Sequence, residues 1–291
     1  MEAAAAVAPP APRPLRSLCL RPAPAARRGP EPGPHAARRH MATAVRCEPS
    51  RRPEARQRHR ARAAAQGGGG AGAGGRRKRL AVFVSGGGSN FRSIHEAALG
   101  GAVHGDVVAL VTDKPGCGGA EHARSNGIPV IVFPKSKSAP KGVSVSELLD
   151  TLRGCEVDFV LLAGYLKLIP AELVREYPRS ILNIHPSLLP AFGGKGYYGL
   201  KVHKAVIASG ARYSGPTVHF VDEHYDTGKT LAQRVVPVLA DDTPESLAAR
   251  VLHEEHQVYV EAVAALCDGR IVWREDGVPL IKSRTNPDEF T

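Results

Sequence analysis

From Arg79 to Ile184 short apolar runs alternate with longer amphipathic ones, a rhythm that few architectures accommodate. Strands are expected at Leu80–Val84, Asp106–Thr112, Pro129–Phe133, Val157–Ala163 and Ser180–Ile184. Each is a short run rich in Val, Ile and Leu, as in strands buried on both faces of a parallel sheet. Helices are expected at Asn90–Leu99, Gly119–Asn126, Val145–Arg153 and Pro170–Glu176, with Gly127 as the stop of the second. Strand–helix alternation at this spacing predicts an α/β fold: a doubly wound, mostly parallel sheet with helices on both faces. Beyond Pro186 the rhythm changes. A Gly-rich loop, Phe192–Gly199, leads into a helix at Leu200–Ser209. The runs Pro216–Asp222 and Thr230–Pro237, joined through a turn around Thr227–Gly228, are expected to pair antiparallel. A long helix from Pro244 to Cys267 follows, with Thr243 as N-cap and Pro at the first helical position. No repeat is visible, and one domain over 79–291 accounts for the pattern.

The net charge of +11 would suit nucleic acid or an anionic membrane surface. Its distribution argues otherwise. Residues 1–79 hold 18 Lys or Arg against four acids, leaving 21 against 24 in the remainder. Binding by counterion release needs a basic face on the folded domain, and here the folded part is mildly acidic. No nucleic-acid partner is expected. Residues 1–78 read as a disordered leader, rich in Ala, Arg, Pro and Gly and closed by the Gly/Ala linker Gln66–Gly75. It lacks the apolar core of a secretory signal and fits an organellar transit peptide, although only Ser17 and Ser50 supply Ser. A disordered tail with no address is the alternative, and Met41 is a candidate second start. No run approaches the roughly 18 apolar residues of a membrane span, so no membrane partner is expected. The five cysteines are scattered, without Cys-x-x-Cys or paired Cys/His spacing. Neither a disulfide framework nor a metal site is indicated.

Three constellations could carry chemistry. Val84-Ser-Gly-Gly-Gly-Ser-Asn90 joins the first strand to the first helix. Glycines permit close backbone approach and a helix start offers unpaired N–H groups, which together favour a phosphate. Ser89 and Asn90 can add side-chain hydrogen bonds. Phe91 replaces the third glycine of a dinucleotide fingerprint, and no Gly-Lys-Ser/Thr follows as in a P-loop. A tight turn that merely needs glycine is the bland alternative. In the second, Asn183 and His185 lie two apart at a strand end and point to one face. The carboxyl ends of parallel strands are where open α/β sheets bind ligands, and an amide beside an imidazole can stabilise an oxyanion. A strand-end histidine bonded to backbone is the plainer reading. The third is the acid-rich stretch after Val218, whose Asp222, Glu223 and Asp226 are all candidates to pair with His185. His219 reads as a satisfied core histidine; His203, His224 and His253 read as solvated surface.

Taken together, Ser85-Gly-Gly-Gly-Ser-Asn90, Leu162-Ala-Gly-Tyr165, Asn183-Ile-His-Pro-Ser-Leu-Leu-Pro190, Thr217-Val-His-Phe-Val221, Asp226-Thr-Gly228 and Glu254-Glu-His256 resemble the signature blocks of the phosphoribosylglycinamide formyltransferases. The resemblance covers about residues 79–270 in order. It implies a formyltransferase-like fold and formyl transfer from 10-formyltetrahydrofolate, as co-substrate, to glycinamide ribonucleotide, with no permanently bound cofactor and no metal. By the resemblance Asn183, His185 and Asp226 are the catalytic trio, His185 acting protonated with its pKa raised by Asp226. Gly87, Gly88, Ser89 and Asn90 hold the ribonucleotide phosphate, and Glu255 positions the glycinamide end. Leu166, Lys167, Leu168 and Ile169 line the folate pocket with Asn183, and the Asp222–Asp226 loop closes over the pterin. Two departures stand out. No clear counterpart of a folate-contacting Arg occurs in Ser138–Glu147, where Lys141 is the nearest cation, and the Gly193–Gly199 loop is longer by about five residues than in compact members. A purine-synthesis enzyme with this leader fits a plant plastid first and a mitochondrion second. Related readings lack their added parts: a formyltetrahydrofolate hydrolase its regulatory domain, an initiator-tRNA formyltransferase its basic C-terminal domain. A dehydrogenase with Asp113 on a ribose fails on the missing glycine, and a binding module has no use for the trio.

Overall fold

The computed structural model describes residues 75–291 except 137, 138 and 287, all within one compact unit, Gly69–Thr291. The expected leader lies outside the described residues. The alternating half of the chain gives β1 (Lys78–Phe83), α1 (Ser89–Leu99), β2 (Gly105–Thr112), α2 (Gly118–Ser125), β3 (Val130–Val132), α3 (Val145–Gly154), β4 (Phe159–Leu162), α4 (Ala171–Glu176) and β5 (Ile181–His185). The second half gives α5 (Leu200–Ser209), β6 (Tyr213–Ser214), β7 (Thr217–Phe220), β8 (Thr230–Gln233), β9 (Val236–Pro237), α6 (Pro244–Cys267), β10 (Ile271–Trp273) and β11 (Pro279–Ile281).

The main sheet has the order β3-β2-β1-β4-β5-β7-β8. Its first five strands are parallel, and β7 and β8 extend it antiparallel. Alternation along β1 shows why both faces are covered. Leu80, Val82 and Val84 pack with Phe91 and Ile94 of α1 and with Tyr259 and Ala262 of α6. Ala81 and Phe83 pack oppositely with Leu148 and Leu152 of α3 and Leu173 of α4. The Tyr259 hydroxyl, fully buried, lies 3.1 Å from the carbonyl oxygens of both Leu162 and Leu182, tying α6 to the ends of β4 and β5. A capping box, with Thr243 Oγ1 accepting from Ser246 N and Ser246 Oγ accepting from Thr243 N, starts α6 where the sequence placed it.

One expected strand is divided. Thr230–Pro237 is two strands: β8 pairs with β7, whereas β9 leaves the sheet to pair with β6. The departure falls where Gly215 and Arg234 touch so closely that a Cβ on Gly215 would stand 1.8 Å from the Arg234 carbonyl oxygen. The hairpin of β10 and β11 was not expected.

Candidate active site

The carboxyl ends of β4 and β5 open onto a cavity of about 660 Å3. Asn90, Leu166, Asn183, His185, Asp226 and Glu255 are among its walls. β5 ends at His185, and the two-residue period places Asn183 and His185 on the same side. Asp226 reaches them from the loop after β7. One oxygen, Oδ2, lies 3.4 Å from His185 Nδ1 and accepts from Gly194 N at 2.8 Å. The other, Oδ1, lies 3.5 Å from Asn183 Nδ2 and 3.6 Å from His219 Nε2. Of the three acids left open by spacing, Asp226 is the partner of His185. Asp222 instead accepts from Thr227 Oγ1 and His224 N, bracing the loop, and Glu223 pairs with Arg175.

Hydrogen-bond roles follow from the partners. His185 Nε2 lies 2.9 Å from the Phe192 carbonyl oxygen, which only accepts, so Nε2 carries a proton and Nδ1 faces Asp226. His219 Nδ1 likewise donates to the Phe220 carbonyl at 2.8 Å, leaving Nε2 to accept from Asn183 Nδ2 at 3.0 Å. His219 is therefore buried and satisfied as expected, and it also fixes the amide of Asn183.

Asp226 favours the protonated ring of His185, as expected, but the net shift runs the other way. Burial pushes its imidazole below the ordinary value; Asp226 and the Phe192 carbonyl oppose that shift without reversing it, and His219 adds to it. Desolvation penalises the charged ring, so the cavity favours its neutral form. Asp226 stays below the usual carboxylate range although burial pulls upward, because polar groups around it, the Gly194 N–H among them, favour its charged form.

His203 corrects a second expectation. It is 4% exposed, lines the same cavity, and its buried Nδ1 has no hydrogen-bond partner. Burial and the neighbouring His185 hold its pKa down. Its place beside Val202 and Val206, both buried, was visible as the apolar stripe of α5. His224 and His253 are exposed, and His224 stands at the cavity rim.

The glycine turn is built for close approach. Gly88 caps α1 at φ 74°, and a Cβ there would stand 2.7 Å from Gly119 Cα. Gly86 and Gly87 are exposed, and no side chain caps α1. Ser85 Oγ, buried beneath, accepts from Leu166 N and so ties this turn to the Leu166–Ile169 segment. Asn90 points elsewhere than expected: its Nδ2 donates to Glu255 Oε2 at 2.6 Å, leaving Oδ1 buried and unpaired. Burial raises the Glu255 carboxyl above its ordinary value, against the Asn90 hydrogen bond. Leu166, Lys167, Leu168 and Ile169 all line the cavity; Gly87, Gly88 and Ser89 flank it without being among its walls. Among the described residues no group of three or more His, Cys, Asp or Glu could hold a metal ion.

Residues 78–263 match the formyl transferase family. A chloroplastic phosphoribosylglycinamide formyltransferase of Vigna unguiculata is 77% identical over 215 residues, 74% of this chain and 69% of that protein. Its counterpart in Arabidopsis thaliana is 71% identical, covering 74% of each. The crystal structure of glycinamide ribonucleotide transformylase 1 from Symbiobacterium toebii superposes with a TM-score of 0.61 at 36% identity, over 69% of this chain and 92% of that one. With the family match spanning the whole parallel sheet and the trio at its edge, the chain belongs to the formyl transferases and, among them, to the phosphoribosylglycinamide formyltransferases.

Proposed function

We propose that this chain transfers the formyl group of 10-formyltetrahydrofolate to the amine of glycinamide ribonucleotide, in de novo purine synthesis, with Asn183, His185 and Asp226 as its catalytic residues. The observation that carries the roles is the convergence of these three side chains, from β5 and the loop after β7, on one cavity shared with Glu255 and the Leu166–Ile169 segment. The compartment is the plastid, in keeping with the chloroplastic relatives. The folate lies against Leu166–Ile169, beneath the loop that Asp222 braces, and the ribonucleotide phosphate lies at Gly87, Gly88 and Ser89. Glu255, steered by Asn90, faces the glycinamide end.

The free amine attacks the formyl carbon, so negative charge grows on the formyl oxygen while the attacking nitrogen becomes cationic. Asn183 holds one N–H firmly on His219 at 3.0 Å; the other, 3.5 Å from Asp226, is at the limit of a hydrogen bond and turns to the oxyanion. The neutral His185 takes the proton shed by the attacking nitrogen on Nδ1, with Asp226 as countercharge. It then gives that proton to the folate nitrogen as the carbon–nitrogen bond breaks, and the ring returns to its neutral form. One proton leaves the amine and one arrives on the folate. His185→Ala and Asn183→Ala are each expected to lower kcat by roughly 10²–10³ with both KM values within a few-fold. Steady-state kinetics with both substrates tests this; an unchanged kcat in either variant refutes the assigned role.

A further inference from the structure

A buried polar atom without a partner costs stability, and a fold that keeps one at a ligand cavity leaves it for the ligand to complete. Among the described residues, buried side-chain atoms of Asn90, Asp113, His203, Ser214 and His256 lack a partner. Of these five residues only Asn90 and His203 line the catalytic cavity. Asn90 is at least held through its amide by Glu255. His203 is held by nothing polar: it is 4% exposed, and neither ring nitrogen has a hydrogen-bond partner among the described residues. The other buried histidines of the cavity are anchored, His185 on the Phe192 carbonyl and His219 on the Phe220 carbonyl. An apolar side chain between Val202 and Val206 would fill the position of His203 without polar cost.

Helix packing decides which substrate meets this ring. On α5, Val202 and Val206 pack with Leu247 and Val251 of α6. Helix α6 packs in turn on α1, with Tyr259 and Ala262 against Phe91 and Ile94. This is the face of the sheet that carries the glycine turn, Asn90 and Glu255. Ala248, Leu252 and Glu255, a stripe along α6, join His203 in the cavity wall. The Leu166–Ile169 segment comes from the opposite face, where Tyr165 and Ile169 pack with Leu148 and Leu152 of α3 and Leu173 of α4. His203 therefore stands on the side of the cavity given above to the ribonucleotide.

The tautomer follows from enclosure. Burial keeps the ring neutral, so it carries one proton. Of its two nitrogens only Nδ1 is fully enclosed. An enclosed nitrogen without a partner is less costly as a bare lone pair than as an N–H. The proton accordingly sits on Nε2, a donor with no acceptor of its own in the protein.

We propose that His203 is a substrate-binding residue, its Nε2–H donating to an oxygen of the amine substrate on the face shared with Glu255 and so helping to hold the nucleophile beside His185. The proposal rests on the reaction proposed above and adds to it a specificity-determining contact that none of the signature blocks contains.

The test uses the full chain and its His203→Met and His203→Gln variants. Met matches the ring in size without a donor; the Gln amide can donate from near the place of Nε2. At saturating 10-formyltetrahydrofolate, His203→Met is expected to raise KM for glycinamide ribonucleotide about tenfold while kcat falls less than threefold. His203→Gln restores most of that loss, and KM for the folate stays within twofold in both variants. Urea unfolding separates this contact from a structural role, because removing an unpartnered polar group leaves the midpoint of His203→Met at or above that of the wild type. An unmoved KM for the ribonucleotide, an equal rise in both KM values, no recovery in His203→Gln, or a lowered urea midpoint in His203→Met would each overturn the proposal. Should the wild-type chain transfer no formyl group, the proposed reaction fails and the contact is judged separately by calorimetric titration with glycinamide ribonucleotide. Weaker binding to His203→Met than to wild type then supports it; equal binding, or none to either, overturns it.

Discussion

At the scale of single residues, the site turns on how two opposing influences set the charge of His185. Burial drives protons off the ring and Asp226 pulls them back, with burial ahead. A carboxylate 3.4 Å away therefore makes the ring a better proton acceptor than burial alone would leave it. Removing the charge in Asp226→Asn lets the His185 pKa fall further, so the pH–rate limb that reports this group moves to lower pH. The rate itself is expected to fall about a hundredfold or more. A pH–rate profile with unchanged height and position would contradict the role given to Asp226. The same sign governs stability. A histidine whose folded pKa lies below its unfolded value contributes stability above the ordinary histidine value and loses it as pH falls through the folded pKa. The trio itself was legible from the Asn-x-His spacing and the signature blocks. The charge state was not, because burial is a property of the assembled cavity. His203 was missed for a different reason: judged by histidine spacing it has no partner, whereas judged by the apolar stripe of α5 it faces inward.

At the scale of elements, two local devices position the site and can be broken singly. The β1–α1 turn needs Gly88 twice over, for a left-handed backbone and for the approach of Gly119. Gly88→Ala is expected to cost about 1–2 kcal/mol from the backbone alone, with more from the displaced α2 and a raised KM for the ribonucleotide. Urea unfolding and kinetics check both; native stability with native KM would mean the turn tolerates a side chain. Helix α6 depends on Thr243 for its start. Thr243→Ala should lose about 1 kcal/mol by urea unfolding while leaving kcat unaffected, since the cap lies far along the helix from Glu255. A loss of kcat without loss of stability would contradict that separation. The longer elements were readable because each carries several periods of its pattern; Leu200–Ser209 and Pro244–Cys267 have the expected bounds. Strands β6, β9, β10 and β11 have two or three residues each, too few for a period to show. The division of Thr230–Pro237 is set by the contact of Arg234 with Gly215, 19 residues apart in sequence.

At the scale of the whole molecule, charge and topology give complementary readings. The excess of bases belongs to residues 1–79, and the alternation that begins at Arg79 predicts the parallel sheet that forms. Cavity position follows from topology: it opens at the carboxyl ends of β4 and β5, where the sheet turns from parallel to antiparallel at β5 and β7. What the sequence left open was the arrangement of parts far apart along the chain, such as Asn90 with Glu255 across 165 positions. The proposed reaction is tested most directly by following folate release spectroscopically from 10-formyltetrahydrofolate with and without glycinamide ribonucleotide. Release that requires the ribonucleotide, with formyl appearing on its amine in equal amount, is the expected result. Release at the same rate in water alone, with formate as the product, would contradict the account.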